Sequence, residues 1–189
     1  MEAGGEEAEV YDLRMGAILE AAEQGEATIM ASLFDMASLP VDTQGEDGDT
    51  ALHIGCLHGQ LAIVQECLRR GASVTACDED GSTPLHDASA GGYVEIAKLL
   101  LDGGASVAVR DNDGDTPLHL AANGSHGNLV ELLLERAGDQ SATLLATQNE
   151  SGQKPIDLAE DPTLITRLRI ADGDEDADGP SAKLSLIHI

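Results

Sequence analysis

Apolar residues in this chain fall in short bursts bounded by glycines, and the bursts recur. One burst reads Pro84-Leu85-His86-Asp87-Ala88-Ser89-Ala90 and is closed by Gly91-Gly92. The next carries Val94, Ile96, Ala97, Leu99, Leu100 and Leu101 and is closed by Gly103-Gly104. Apolar positions three and four apart share one face of a helix, so the pattern predicts a helix over 84–90 and a second over 94–102. Thr83 is placed to cap the first helix, its hydroxyl taking an orphan backbone N–H. Pro84 then occupies the first helical position, where a missing N–H costs nothing. Glycine just past the second helix suits the left-handed backbone that ends helices. Ala105–Val109 reads as an extended finger leading into an Asp-x-Asp-Gly turn.

This unit is repeated. Asp47-Gly48-Asp49-Thr50-Ala51-Leu52-His53 returns as Asp80-Gly81-Ser82-Thr83-Pro84-Leu85-His86 and again as Asp113-Gly114-Asp115-Thr116-Pro117-Leu118-His119, each time after 33 residues. A degenerate copy, Lys154-Pro155-Ile156-Asp157-Leu158-Ala159, follows after five extra residues placed within Gly138–Thr143. Another precedes the series: Ile18, Ala21, Ala22 and Gly25 align with Leu52, Gly55, Cys56 and Gly59 at a shift of 34. One helix pair cannot bury its apolar face alone, but a stack can, which predicts a solenoid with atypical units at its ends.

Thr83-Pro84-Leu85-His86-Asp87-Ala88 and Thr116-Pro117-Leu118-His119-Leu120-Ala121 match the T-P-L-H-x-A pattern of the ankyrin repeat in full. The chain thus resembles the ankyrin repeat family over residues 13–170, in about five units. The resemblance implies a mainly α solenoid of helix-turn-helix units with β-hairpin-like fingers, and a non-catalytic protein-interaction module, whether scaffold, adaptor or inhibitor. It also implies that the motif residues Thr50, His53, Thr83, His86, Thr116 and His119 are structural, with each His tying neighbouring units through backbone hydrogen bonds.

By the same resemblance, partners meet the finger tips and the exposed side of the first helices. The fingers offer Glu46, Asp47 and Asp49, then Glu79, Asp80 and Ser82, then Asn112, Asp113 and Asp115. The helical part of the groove offers Leu57, His58, Ala90, Asn123 and Asp87. Asp at such turns also serves turn geometry. Glu46, Asp49, Glu79 and Asp115 go beyond that requirement and point to an electrostatic landing strip for a basic protein surface. Tyr93 and Phe34 are expected as packing residues, and His58 and His126 as solvated loop residues.

Composition narrows the function classes. The 189 residues carry 35 Asp and Glu against 10 Lys and Arg, a formal charge of −25. That charge repels nucleic-acid phosphates and anionic membranes, so neither is an expected partner. No apolar run approaches the roughly 18 residues of a membrane span. Three cysteines without a C-x-x-C pair make neither a disulfide framework nor a zinc site. Free thiols and an acidic N-terminus place the chain in the cytoplasm or nucleus, as a monomer. No nucleophile elbow or phosphate loop is present, and no cofactor or catalytic residue is expected.

The remaining segments are simpler. Residues 1–12 and 171–183 read as acidic and disordered. Asp174-x-Asp176-x-Asp178-Gly179 is the first half of a calcium-loop pattern whose twelfth position is Ser185. The hexapeptide Leu184–Ile189 back-translates to the transposase mosaic-end adapter of sequencing libraries and is expected to be an artefact, leaving the true C-terminus open. The alternative function is therefore the N-terminal targeting domain of a larger enzyme, such as a kinase or ubiquitin ligase.

Overall fold

The computed structural model describes residues 3–173, those before 13 by backbone alone. Five helix pairs form the stack. They are α1 (Ala3–Glu23) with α2 (Ala27–Ala37), α3 (Ala51–Leu57) with α4 (Leu61–Arg69), and α5 (Pro84–Ala90) with α6 (Val94–Asp102). Then come α7 (Pro117–Asn123) with α8 (Gly127–Ala137), and α10 (Pro155–Leu158) with α11 (Pro162–Ala171). The first helices α1, α3, α5, α7 and α10 pack in sequence as an inner layer. The second helices α2, α4, α6 and α8 pack as an outer layer. The extra residues form a 3-10 turn (Gly138–Gln140) and the start of α9 (Ser141–Ala146), which lies against both α8 and α11 and continues the outer layer between them.

The core is a set of columns running along the stack. Leu52, Leu85 and Leu118 are fully buried in the inner helices. Ile63, Ile96 and Leu129 repeat one register position of the outer helices, and Cys67, Leu100 and Leu133 another, with none more than 2% exposed. Small residues at Ala88, Ala121 and Ala122 let the layers approach, which is why so few aromatic rings are needed. The one Phe, Phe34, closes the first unit with Met15, Ile18 and Met30. Arg70, which caps the C-terminus of α4, stacks 5.8 Å from the Phe34 ring centroid. Its guanidinium also bonds Glu66, Asp35 and the Ala31 carbonyl, tying α2 to α4. The Arg69 and Arg70 guanidinium groups beside Glu66 hold its carboxyl down at about 2.

Two expectations need correction. Residues 3–12 are helical, not disordered, because Ala and Glu are good helix formers and acids near a helix N-terminus are attracted to the positive end of its dipole. The fingers contain no strand among the described residues. Each finger turn holds two short-range backbone bonds, Gly45 N–H to Asp49 O with Gly48 N–H to Gly45 O, and likewise Asp78–Ser82 with Gly81–Asp78 and Asp111–Asp115 with Gly114–Asp111, too few for a ladder. Within Ala105–Val109 a turn falls at Val107 and Ala108, and no residue of the segment is assigned to a strand. The Asp174–Ser185 segment and the terminal hexapeptide lie outside the described residues.

Leu85 is fully buried in α5, which packs against both α3 and α7. Leu85→Ala should cost about 2–5 kcal/mol, read as a lower urea midpoint in equilibrium unfolding.

Candidate functional site: the capped stack and its acidic groove

Each first helix starts from a Thr–His pair. The backbone N–H of Thr50, Thr83 and Thr116 donates to Nδ1 of His53, His86 and His119 at 3.2, 3.0 and 3.1 Å. A backbone N–H can only donate, so Nδ1 is the acceptor and the proton sits on Nε2. That Nε2 donates to the next unit's carbonyl: His53 to Ser82 at 3.3 Å, His86 to Asp115 at 3.2 Å and His119 to Gln153 at 3.1 Å. One neutral imidazole therefore caps its own helix and holds the following unit. In the last copy Asp157 stands in the His position. Its carboxylate accepts the Lys154 N–H at 2.9 Å but has no proton to hand onward, which suits a terminal unit.

Burial lowers the three imidazoles below the ordinary 6.5, against weaker raising by nearby carboxylates and backbone carbonyls. The neutral form required by the hydrogen bonds is thus also the favoured one. These side chains hold the stack in place through both ring nitrogens. The buried thiols are inert: burial raises Cys56 and pushes Cys67 up to about 12. Among the described residues no group of three or more His, Cys, Asp or Glu side chains is arranged to hold a metal ion.

A second column went unrecognised in the sequence. Gln60, Tyr93 and His126, again 33 residues apart, each precede a second helix and lean on the preceding unit. Gln60 Nε2 donates to Glu23 O at 3.0 Å, and His126 Nε2 bonds Ala90 O at 2.9 Å. The Tyr93 ring lies against Gly59 and Gly91 so closely that a Cβ at either would fall within 2.5 Å of it. His126 is thus half-buried and bonded, whereas His58 is exposed as expected. The 33-residue spacing was the available signal, but three unlike side chains concealed it.

The fingers are joined edge to edge. Glu79 N–H donates to Asp47 O at 3.2 Å, Asn112 N–H to Asp80 O at 2.9 Å and Glu150 N–H to Asp113 O at 2.8 Å. Turn geometry uses Asp78, whose Oδ1 accepts the Ser82 N–H, and Asp111, whose Oδ1 accepts the Asp113 and Asp115 N–H groups. Asn112 is exposed but spends its amide on Glu79 O, and the half-buried Asp115 accepts from the Asn149 amide. The half-buried Ser82 supplies backbone groups to the finger turn and to His53.

By contrast, the carboxylates of Glu46, Asp47, Glu79, Asp80 and Asp113 are exposed and form no hydrogen bond or ion pair among the described residues. Leu57, His58, Ala90 and Asn123 are exposed at the C-terminal ends of α3, α5 and α7. Asp49 is half-buried, and burial, with Asp78, Asp47 and Asp80 adding repulsion, raises its carboxyl. Asp87 is half-buried on α5, pushed up to about 8 by burial and by Asp49 and Asp78.

Paired helices stacked in one direction, capped by a repeating Thr–His device and edged by joined turns, define a repeat solenoid. A family model for ankyrin repeats in three copies matches residues 18–111, and a single ankyrin repeat model matches residues 113–146. The chain belongs to the ankyrin repeat family. Ankyrin repeat domains are generally protein-interaction modules and typically not catalytic. A comparison with curated proteins finds no match. No described helix is long and apolar enough to cross a membrane.

The imidazoles predict acid sensitivity. Their folded pKa values lie below the unfolded 6.5, so below that pH the unfolded chain binds more protons and stability falls. Asp87 opposes this, because its raised carboxyl holds a proton that the unfolded chain releases. In Asp87→Asn protein, lowering the pH from about 7 to about 5 should lower the thermal midpoint, with the Cε1–H resonances of His53, His86 and His119 titrating below the ordinary imidazole value.

Proposed function

We propose that the chain is a non-catalytic adaptor or inhibitor that masks a basic surface on a protein partner. The observation that carries this is the row of exposed, unpaired carboxylates at Glu46, Asp47, Glu79, Asp80 and Asp113 beside the exposed ends of α3, α5 and α7. The fold does not use these charges: turn geometry is served by Asp78 and Asp111 and by backbone bonds. Like charges in a row cost self-repulsion, and a cationic partner relieves it. Backbone bonds fix the spacing of neighbouring turns, so the partner meets a rigid array.

The same face offers few large anchors. Leu57 is 47% exposed and Tyr93 is spent on Gly59 and Gly91, so aromatic contact contributes little. Long-range attraction then dominates encounter and specificity. Three free thiols, Cys56 and Cys67 buried and Cys77 exposed, suit a reducing compartment, and we place the protein in the cytoplasm or nucleus, acting as a monomer.

Proximity labelling in cells followed by purification should return proteins with a cationic docking face. Affinity for such a partner should fall steeply with added salt. Neutralising Glu46, Asp47, Glu79, Asp80 and Asp113 together to Gln or Asn should weaken binding by about tenfold or more while leaving the melting profile in place. Unchanged affinity in that variant would reject the acidic strip.

A further inference from the structure

Ile54, Asp87 and Leu120 occupy the same position on α3, α5 and α7, 33 residues apart, and all three are half-buried. The central unit therefore places a carboxyl where its neighbours place branched alkyl groups. Asp87 Oδ2 exposes no surface to solvent and has no hydrogen-bond partner. The charges that act on the carboxyl are Asp49 and Asp78 of the fingers, both acids, so it faces the angle between fingers and first helices. Cys56 of α3 feels its charge from the adjoining unit. A buried carboxyl oxygen without a donor weakens the fold, and an alkyl group at this position is what both flanking units use.

We propose that Asp87 is the anchor of the concave face and receives one arginine side chain from the partner, its guanidinium on the Asp87 carboxyl and its stem between Ile54 and Leu120. The anchor presupposes that this face is the binding face. Arginine suits it better than lysine. A guanidinium is weakly hydrated, loses less on leaving water and has five N–H donors to share among Asp87, Asp49 and Asp78. Its alkyl stem covers apolar surface.

The step balances as a proton release. In the empty groove at neutral pH the Asp87 carboxyl mostly holds its proton, since burial and two nearby acids disfavour the anion. The arriving guanidinium stabilises the carboxylate, and the displaced proton passes to the buffer. Binding then strengthens as pH rises through the empty-site value.

The test uses the full chain with carbon-13-labelled aspartate and n-butylguanidinium as the probe. The Asp87 carboxyl resonance should shift saturably, and its titration midpoint should fall by about one unit or more in saturating probe. n-Butylammonium should act more weakly. Asp87→Leu should melt about 2–4 °C higher and abolish the probe's saturable effect on the Leu120 methyl resonances. An Asp87 resonance that follows the probe no more than exposed Asp113 does, or a midpoint that stays in place, overturns the anchor. Equal responses to the ammonium probe overturn the preference for arginine. A chain that captures a basic protein in a salt-dependent way while Asp87 ignores the probe keeps the acidic strip and loses the anchor. Saturable binding at Asp87 without capture of a basic protein does the reverse.

Discussion

The stack depends on one bifunctional side chain, the neutral imidazole at the start of each first helix. Its Nδ1 takes the N–H of the capping Thr, and its Nε2–H reaches the next unit's turn. Local and long-range order are thereby coupled: the helix start is satisfied by the same ring that fixes the neighbour's distance. Few residues could replace it. A carboxylate serves the first bond only, as Asp157 does at the end of the array. Protonation forfeits the acceptor, so the device requires a buried, uncharged ring, and burial supplies that condition.

Around this device the packing needs little chemical variety. Columns of Leu, Ile, Cys and Ala fill the space between layers, and successive units contact mainly their neighbours. The ends are treated differently. The first unit uses Phe34, Met15 and Met30 to close its core and the Arg70 cluster to bind α2 to α4. The last uses a shortened α10 and the added α9. Outer-face charges are paired where Asp102 meets Arg136 and Glu131 meets Arg167, while the finger-tip acids are not.

The two pairs join neighbouring outer helices, α6 to α8 and α8 to α11. Asp87 is held partly out of water without a partner at a site where alkyl groups would pack better. Residues that break the local rule without a structural gain are where function is most economically sought.

The sequence alone determined the period and the helix pairs in the central units, because these follow from local grammar repeated three times. Helices expected over 84–90 and 94–102 span Pro84–Ala90 and Val94–Asp102. Only the tertiary structure decided the rest. It showed the fingers as joined turns, not strands, since two bonds within each tight turn cannot make a ladder. It drew Gln60, Tyr93 and His126 into a second column, which depends on shape and position and not on residue type. It divided the acids as well: Asp78, Asp111 and Asp115 are engaged, while Glu46, Asp47, Glu79, Asp80 and Asp113 stand free among the described residues. A carboxylate's role depends on which donors the folded chain brings to it: Asp78 and Asp111 find them in their own turns, Asp115 in a turn 34 residues away.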